Sequence, residues 1–285
     1  MKDRRFRILV TGANGQLGKE LVQLPQQADL KIIGFGRDIL DITDLAACRN
    51  VLMEYRPDAV IHCAAYTAVD KAEEEPDVAF SVNAAGTRNV ALASEELGAK
   101  FAYISTDYVF GGSGNQPYNE YDRLDPQTTY GKSKLAGEQL TQTLNSRYFI
   151  VRTSWVYGRY GNNFVNTMLK LAREKDQLKV VHDQVGSPTY TLDLAHFLIE
   201  LVQTDYYGVY HASNSGYCSW YEFAATIFAE SDLTIKLEPC TTDEFPRPAP
   251  RPAYSVMDHC MLRSIGFQSL RHWKEGLRHY LQSIE

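Results

Sequence analysis

The chain of 285 residues has few cysteines, and their arrangement suggests neither a disulfide framework nor a metal site. The five cysteines are odd in number and scattered, and no two form a Cys-x-x-Cys pair: Cys48, Cys63, Cys218, Cys240 and Cys260. The seven histidines likewise lack the spacing of metal ligands. We therefore expect no disulfides, no metal site and a location in the reducing cytoplasm.

Long apolar runs and an excess of positive charge are missing as well. No stretch is long and apolar enough to span a bilayer, and residues 1–7 lead into a strand without an apolar signal segment. The net charge of −6 argues against a protein that binds nucleic acid or anionic membranes. A hydrophobic content of 44% and a charged content of 22% are typical of a globular protein with a sizeable core.

A glycine-rich loop lies between a short strand, 7–11, and a helix predicted to run to about residue 28. Glycines three residues apart permit a tight turn, let the backbone approach a pyrophosphate, and let the helix pack closely on the strand. The strand before and the helix after favour a dinucleotide site over a purely structural turn. The residues expected to contact the cofactor here are Gly12, Asn14, Gly15, Gln16, Leu17 and Gly18.

A second strand, 31–35, is followed by Arg37 and Asp38, where a dinucleotide fold meets the adenosine ribose. An acid at this point binds the 2′-hydroxyl of NAD, whereas an arginine accommodates the 2′-phosphate of NADP. We favour NADP because a guanidinium matches the geometry of a phosphate, and NAD remains the alternative. A third interpretation is that both side chains are solvated loop charges.

Strands and helices alternate through the first half of the chain, which predicts a parallel sheet covered on both faces. The alternation loosens after residue 155, and the proline-rich segment 245–252 admits neither a helix nor a central strand. We therefore predict an α/β fold with a doubly wound parallel (Rossmann) sheet and a small interleaved C-terminal substrate-binding subdomain. The nucleotide-binding part would be 1–155, with returning segments at about 180–210, and the subdomain mainly 156–285. The acidic run 73–75 is interpreted as a solvated turn, and a long helix is predicted across 76–97. Short strands are also predicted at 59–62 and 208–211.

Tyr130 and Lys134 stand four residues apart in a predicted helix, 130–144, so they would share one face at a distance of about 6 Å. A neighbouring ammonium favours the phenolate and would lower the pKa of Tyr130. The hydroxyl of Thr106, at the end of the preceding strand, would hold a carbonyl oxygen between them. The spacing alone is weak evidence, because about one such pair is expected by chance, and an amphipathic surface helix is the alternative. The position downstream of the glycine-rich loop favours proton transfer to a ketone or from an alcohol.

Several motifs together carry a family resemblance: the glycine loop, Ser105-Thr106-Asp107, Tyr130-x-x-x-Lys134, and the late Arg251-Pro252-x-x-Ser255. With the segments 105–110, 152–158, 163–165 and 184–189, they resemble the extended short-chain dehydrogenase/reductases and, within them, the dTDP-4-dehydrorhamnose reductase family. The resemblance covers nearly the whole chain, and the motifs taken jointly are specific.

This resemblance implies NADPH-dependent reduction of dTDP-4-dehydro-β-L-rhamnose to dTDP-β-L-rhamnose, the last step in making that activated sugar. Thr106, Tyr130 and Lys134 match the catalytic positions. Further cofactor contacts are implied at two places, the adenine end and the loop after the third strand: Asp41, Ile42, Ala64, Ala65 and Tyr66. Substrate contacts are implied at Thr106, Asp107, Tyr108 and Trp155. Arg251, on a proline-stiffened loop, is the candidate clamp for the substrate diphosphate, and an exposed loop arginine is the alternative.

Some members of that family form dimers around Mg²⁺ held by glutamates. Glu20 matches one of these glutamates, but Leu192 stands in the place of another. The resemblance therefore carries neither the metal nor that mode of dimerisation to this chain, and a homodimer is retained only as a possible state.

Two alternatives stay open. A sugar-nucleotide 4,6-dehydratase or 4-epimerase uses the same tyrosine and lysine but recycles its NAD. Such dehydratases carry an Asp-Glu pair after the catalytic threonine, whereas here Asp107 is followed by Tyr108. The second alternative is a non-catalytic regulatory subunit of methionine adenosyltransferase, which resembles the same family and can keep both catalytic residues.

Overall fold

The computed structural model describes residues 5–25 and 28–284. Residues 1–4, predicted to lead into the first strand, lie outside the described residues, as do 26, 27 and 285. The strands of the described chain are β1 (Phe6–Thr11), β2 (Leu30–Phe35), β3 (Ala59–His62), β4 (Lys100–Thr106), β5 (Tyr148–Thr153), β6 (Val156–Tyr157), β7 (Gln177–Val181), β8 (Val185–Gly186), β9 (Thr189–Tyr190), β10 (Gly208–His211), β11 (Cys218–Ser219) and β12 (Lys236–Cys240). The α-helices are α1 (Gln16–Gln23), α2 (Leu45–Tyr55), α3 (Val69–Glu74), α4 (Pro76–Phe80), α5 (Thr87–Glu96), α6 (Thr129–Leu144), α7 (Phe164–Glu174), α8 (Thr191–Val202), α9 (Trp220–Glu230), α10 (Cys260–Ser264) and α11 (Trp273–Ile284).

Six parallel strands form the central sheet in the order β2-β1-β3-β4-β5-β10. Because β2 and β3 lie on opposite sides of β1, the strand order reverses there, and a crevice opens at the carboxyl ends of β1 and β3. Successive residues of β1 face two separate cores: Ile8 and Val10 pack with α1 and α8, whereas Leu9 packs with α2 and α5. The predicted doubly wound parallel sheet is confirmed.

Two predicted helices differ from the structure. α1 ends at Gln23 rather than near residue 28, because Leu24 precedes Pro25 and takes an extended conformation with ψ 145°. The helix predicted across 76–97 is instead α4, a π-helical turn (Ser81–Gly86) and α5. The π-helical turn places Asn83 in the interior, where its side chain makes contacts described below.

The C-terminal part builds a second core from α7, α9 and α11 and three two-stranded sheets, β6·β9, β7·β12 and β8·β11. The chain also returns to the central sheet, because α8 packs on α1 and β10 pairs with β5. The division into a nucleotide-binding part and a substrate-binding subdomain stays a prediction. No helix among the described residues combines the length and apolar character that a bilayer crossing needs.

Candidate active site

A cleft of about 1190 Å³ lies at the carboxyl ends of the central strands. The sheet side contributes the glycine loop, the end of β4 and the start of α6, and the C-terminal part contributes an aromatic and basic wall. Predicted site residues that line the cleft are Gly15, Gln16, Leu17, Gly18, Ala65, Thr106, Asp107, Tyr108, Tyr130, Lys134, Trp155 and Arg251. Predicted residues outside this lining are Gly12, Asn14, Arg37, Asp41, Ile42, Ala64 and Tyr66.

The glycine loop leaves no room for a side chain at Gly12 or Gly18. Gly12 has φ +66°, and a Cβ there would lie 2.6 Å from the backbone nitrogen of Ala64. A Cβ on Gly18 would lie 2.3 Å from the carbonyl oxygen of Gly12, so α1 packs against the turn. The N-cap of α1, Gly15, supplies no side-chain hydrogen bond, which leaves the N–H groups of the first turn for an anion in the cleft. This cradle fits the pyrophosphate of a dinucleotide.

At the predicted adenosine end, the two charged candidates have different surroundings. The Nδ2 of Asn14 donates to Oδ1 of Asp38 at 3.3 Å. Arg37 is exposed and makes no ion pair or hydrogen bond within residues 5–25 and 28–284. The guanidinium therefore has no competing partner there, as the predicted contact with a 2′-phosphate requires.

The predicted adenine contacts are held by their own neighbours. Asp41 accepts hydrogen bonds from the backbone nitrogen and the hydroxyl of Thr43, at 2.9 and 2.7 Å, and these bonds lower the pKa of its carboxyl. Ile42 is buried, and a Cβ on Gly86 would lie 2.7 Å from its Cδ1. Asp44 caps α2 through its side-chain carboxylate.

The loop after β3 is held by Asn83, which the sequence did not single out. The Oδ1 of Asn83 accepts from the backbone N–H of Tyr66 at 2.8 Å, and its Nδ2 donates to the Tyr66 carbonyl at 3.0 Å. The same Nδ2 donates to the hydroxyl of Ser133 on α6 at 2.9 Å. One buried amide therefore connects the cofactor loop to the helix that carries Tyr130 and Lys134. A π-helical turn, which presents this amide, has no clear sequence signal.

Thr106 ends β4 and places its hydroxyl in the cleft. The hydroxyl accepts from the backbone N–H of Tyr108 at 3.2 Å and donates to Oδ1 of Asp107 at 3.0 Å. Burial raises the pKa of the Asp107 carboxyl to about 6, although the neighbouring Ser255 and Thr106 side chains act in the opposite direction.

Tyr130 and Lys134 both face the cleft from α6, at the carboxyl edge of the sheet. The Nζ of Lys134 donates to the carbonyl oxygen of Ile104 at 2.6 Å and lies 4.1 Å from the centroid of the Tyr103 ring. Burial lowers the pKa of the lysine ammonium to about 7, and the carboxylate of Glu138 opposes this change.

The expectation that Lys134 lowers the pKa of Tyr130 is wrong for this structure. Burial raises the pKa of the phenol to about 12; a hydrogen bond with the Thr106 side chain lowers it, and the Asp107 carboxylate raises it. Burial dominates because the phenolate would be desolvated, while the ammonium is directed at the Ile104 carbonyl. At neutral pH the phenol therefore carries its proton.

One acidic residue of α3, predicted to lie in a solvated turn, instead holds the start of α6. Glu73 accepts from the backbone nitrogen and the hydroxyl of Thr129, both at 2.8 Å. A carboxylate at a helix N-terminus is favourable because it satisfies a free N–H and complements the helix dipole. Thr128, the N-cap, accepts from the N–H of Gly131 at 3.0 Å.

The predicted substrate residues are brought together around the cleft. The Tyr108 ring stands edge-on to the Tyr130 ring, with centroids 5.5 Å apart. Trp155 stacks on Trp220, which sequence reasoning missed. Arg251 lines the cleft and is paired there with Asp70 at 2.9 Å.

The glutamate that matches the Mg²⁺ ligand of some family members has a protein partner here. Glu20 is buried on α1, and its Oε2 accepts from the hydroxyl of Thr191 at 2.7 Å. Within the described part of the chain, no group of three or more His, Cys, Asp or Glu side chains is placed to hold a metal ion. The histidine at the end of β3, His62, is hydrogen-bonded to the hydroxyls of Thr11 and Thr87, as expected for a packed residue.

Comparison with known proteins gives the same family as these motifs. The model of the RmlD substrate binding domain family matches residues 6–285. The chain belongs to this family. The expected resemblance is thereby confirmed, as is the expected enzyme class, an NAD(P)H-dependent oxidoreductase.

Several relatives resemble this chain over nearly their full length. A spore coat polysaccharide biosynthesis protein, SpsK, of Bacillus subtilis (strain 168) is 50% identical, covering 97% of both chains. A dTDP-4-dehydrorhamnose reductase of Streptomyces griseus is 44% identical, covering 96% of this chain and 92% of its own. The crystal structure of the dTDP-4-dehydrorhamnose reductase of Bacillus anthracis str. Ames, in complex with NADP, has a TM-score of 0.96 at 48% identity, covering 98% of this chain and 99% of its own.

Proposed function

We propose that this protein reduces the 4-keto group of dTDP-4-dehydro-β-L-rhamnose to give dTDP-β-L-rhamnose, with NADPH as the reductant. The observation that carries the proposal is the convergence of the Thr106 hydroxyl, the Tyr130 phenol and the uncapped start of α1 on one cleft. A proton donor, an oxygen-binding hydroxyl and a pyrophosphate cradle are the parts that reduction of a ketone requires.

The cofactor fits the residues present. The first turn of α1, with Gly12 and Gly18 packed beneath it, would hold the pyrophosphate, and Arg37 would hold the 2′-phosphate that distinguishes NADP from NAD. When bound, the reduced nicotinamide supplies a hydride. Lys134 would hydrogen-bond the nicotinamide ribose from its position beside the Ile104 carbonyl.

Tyr130 is proposed as the proton donor to the substrate oxygen. Its pKa of about 12 keeps the phenol protonated across the physiological range, so the proton to be donated is present. Thr106 would hydrogen-bond the same oxygen as it gains negative charge. The phenolate left behind would be stabilised by the Thr106 hydroxyl and by the ammonium form of Lys134.

Substrate specificity is supported by the relatives and by the composition of the cleft wall. The Streptomyces griseus and Bacillus anthracis relatives carry the name dTDP-4-dehydrorhamnose reductase, and the Bacillus subtilis relative is named for polysaccharide synthesis. The cleft also contains Arg247, Lys175 and Lys179, so a dianionic diphosphate has cations near it in addition to Arg251.

All five cysteines are free, which supports a cytoplasmic location.

The decisive experiment is an assay of NADPH oxidation with the dTDP-4-ketosugar, repeated with NADH and with the product identified. We expect one NADPH consumed per sugar reduced, and Arg37→Ala is expected to lose activity with NADPH much more than with NADH. Turnover without net NADPH consumption would indicate a dehydratase or epimerase instead. No turnover of any ketosugar, together with copurification of an adenosyltransferase, would indicate a regulatory subunit.

The homodimer stays a prediction, which light scattering of the purified protein tests.

A further inference from the structure

Trp155 adopts a backbone conformation that bulky residues avoid. Its φ is +47°, in the left-handed region where a Cβ is crowded. Among the described non-glycine residues only Arg56 and Asp232 share a positive φ, and neither of them lines the cleft. Such a conformation persists only where the surrounding structure holds it, and it is frequent at sites that bind ligands.

Two neighbours hold the indole of Trp155 from its two faces. Trp220 stacks on it with ring centroids 3.5 Å apart and an interplanar angle of 7°. On the other face lies Gly186, where a Cβ would be 2.6, 2.7 and 2.8 Å from Cε2, Nε1 and Cζ2 of the indole. Cε2 is bonded to both Nε1 and Cζ2. A Cβ that approached the indole from its edge would lie closer to one of those two atoms than to Cε2. Because Cε2 is the nearest atom, Gly186 lies above the plane of the ring. Any side chain at 186 would displace the indole.

Both neighbours come from one small unit of structure. Gly186 in β8 pairs with Cys218 in β11, and β11 leads directly into α9, of which Trp220 is the first residue. The start of α9 is fixed by a capping box, in which the Ser219 hydroxyl accepts from the Glu222 N–H and the Glu222 carboxylate accepts from the Ser219 N–H. The position of Trp220 is therefore determined independently of Trp155.

Because both faces are covered, the indole of Trp155 cannot stack on a sugar ring. Trp155 lines the cleft, and the polar group at the perimeter of its indole is the Nε1–H donor. This donor has no hydrogen-bond acceptor in the described part of the chain, and it is not among the polar atoms that are fully buried. An accessible, unpaired donor on a fixed ring is suited to a sugar oxygen, because no rotamer freedom is lost when the bond forms.

We propose that Trp220 is a positioning residue, which together with Gly186 holds the Trp155 indole edge-on to the cleft. In this position the Trp155 Nε1–H donates a hydrogen bond to a ring oxygen or hydroxyl oxygen of the hexose in the nucleotide-sugar substrate. The identity of this ligand rests on the proposed function. The position of the indole does not, since it follows from the packing alone.

The test uses four variants of the full-length protein: Trp155→Phe, Trp220→Phe, Trp220→Ala and Trp273→Phe. Two stacked indoles give an exciton couplet in circular dichroism, and the chain has three tryptophans in all. We expect the couplet to disappear in the first three variants and to persist in Trp273→Phe, since Trp273 lies in the second core and not in the stack. A couplet that survives loss of Trp220 would overturn the positioning role.

Kinetics then separate the hydrogen bond from general damage. Trp155→Phe should raise the KM for the dTDP-4-ketosugar about five- to tenfold, as expected for one hydrogen bond, with the KM for NADPH unchanged. Trp220→Ala should raise the KM for the ketosugar by a similar factor. Trp220→Phe keeps an aromatic face against Trp155, so its KM for the ketosugar should stay close to the wild-type value. Wild-type KM values in Trp155→Phe would refute the donor.

Failure of the proposed function gives a different result. A wild-type protein that turns over no ketosugar would overturn both the function and the sugar contact, while the couplet would still decide whether Trp220 holds Trp155. If Trp220→Ala does not fold, Trp220→Leu takes its place in the KM measurement, because it removes the aromatic face and leaves a smaller cavity than alanine does.

Discussion

Asp70 and Arg251, which lie 181 residues apart in the chain, form an ion pair with Nη2 and Oδ2 2.9 Å apart. Both side chains line the cleft. The Oδ1 of Asp70 also accepts from the backbone N–H of Ala249 at 3.3 Å, and Nη1 of Arg251 donates to the Ala249 carbonyl at 3.0 Å. One carboxylate therefore ties the proline-rich segment to α3 and occupies part of the guanidinium that we propose as the diphosphate clamp.

Replacement of Asp70 by asparagine should lower the KM for the sugar nucleotide about three- to tenfold, because the variant removes a negative charge near the diphosphate while one side-chain oxygen remains to accept from Arg251 or from the N–H of Ala249. The KM for NADPH should not change. Steady-state kinetics with both substrates at low ionic strength measure the effect. A higher KM for the sugar nucleotide would mean that Asp70 orients the guanidinium and does not compete for it.

Replacement of Arg251 by alanine should raise the KM for the sugar nucleotide on the order of ten- to a hundredfold, since a charge-assisted hydrogen bond to phosphate is lost. The KM for NADPH is expected to stay at the wild-type value. Arg278→Ala is the matched control, because Arg278 pairs with Glu230 on the surface and does not line the cleft. Equal increases in the KM values for both substrates would count against the clamp.

Replacement of Tyr130 by phenylalanine should decrease kcat about a hundred- to ten-thousandfold, the usual contribution of a positioned general acid. The ring would still fill its place beside Tyr108, so binding of NADPH, measured by fluorescence titration, is expected to stay nearly intact. Tyr121→Phe is the control, since Tyr121 is exposed and does not line the cleft. A variant that keeps most of its activity would show that the acid is another group.

Replacement of Asp107 by asparagine should stabilise the protein at pH 8 but not at pH 3.5. The folded carboxyl has a pKa of about 6, raised by burial from 3.8, so between these values the folded state keeps a proton that the unfolded state has lost. Wild-type stability therefore falls as the pH rises through this window, by on the order of 3 kcal/mol in total. Urea unfolding of both proteins at the two pH values measures the difference, and an equal difference at both would contradict the assigned cause.

Replacement of Glu73 by alanine should reduce the free energy of unfolding by about 1 kcal/mol, because the first turn of α6 loses two hydrogen bonds and a favourable charge. Glu74→Ala is the matched control one residue away, since the carboxylate of Glu74 makes no hydrogen bond or ion pair among the described residues. Urea unfolding measures both variants. If they lose the same stability, the contact between α3 and α6 is not the reason.

The order of strands and helices and the place of the chemical groups along them were readable from the sequence. β3 and β10 have the predicted bounds, and the segment 100–106 ends at Thr106 as expected, because β-branched and apolar residues in short runs favour strands wherever they pack. Tyr130 and Lys134 share a helix face for the same local reason, since four residues make about one helical turn.

What the sequence by itself determined, then, was the parallel sheet, the glycine cradle and the identity of the groups at its edge, because backbone propensity and steric fit act between neighbours in the chain. Only the tertiary structure decided the pKa of Tyr130, the pairing of Arg251 with Asp70 and the stacking of Trp155 on Trp220. Burial and contacts between distant segments set all three, and neither is encoded in local spacing: the phenol is desolvated by elements far from it in sequence.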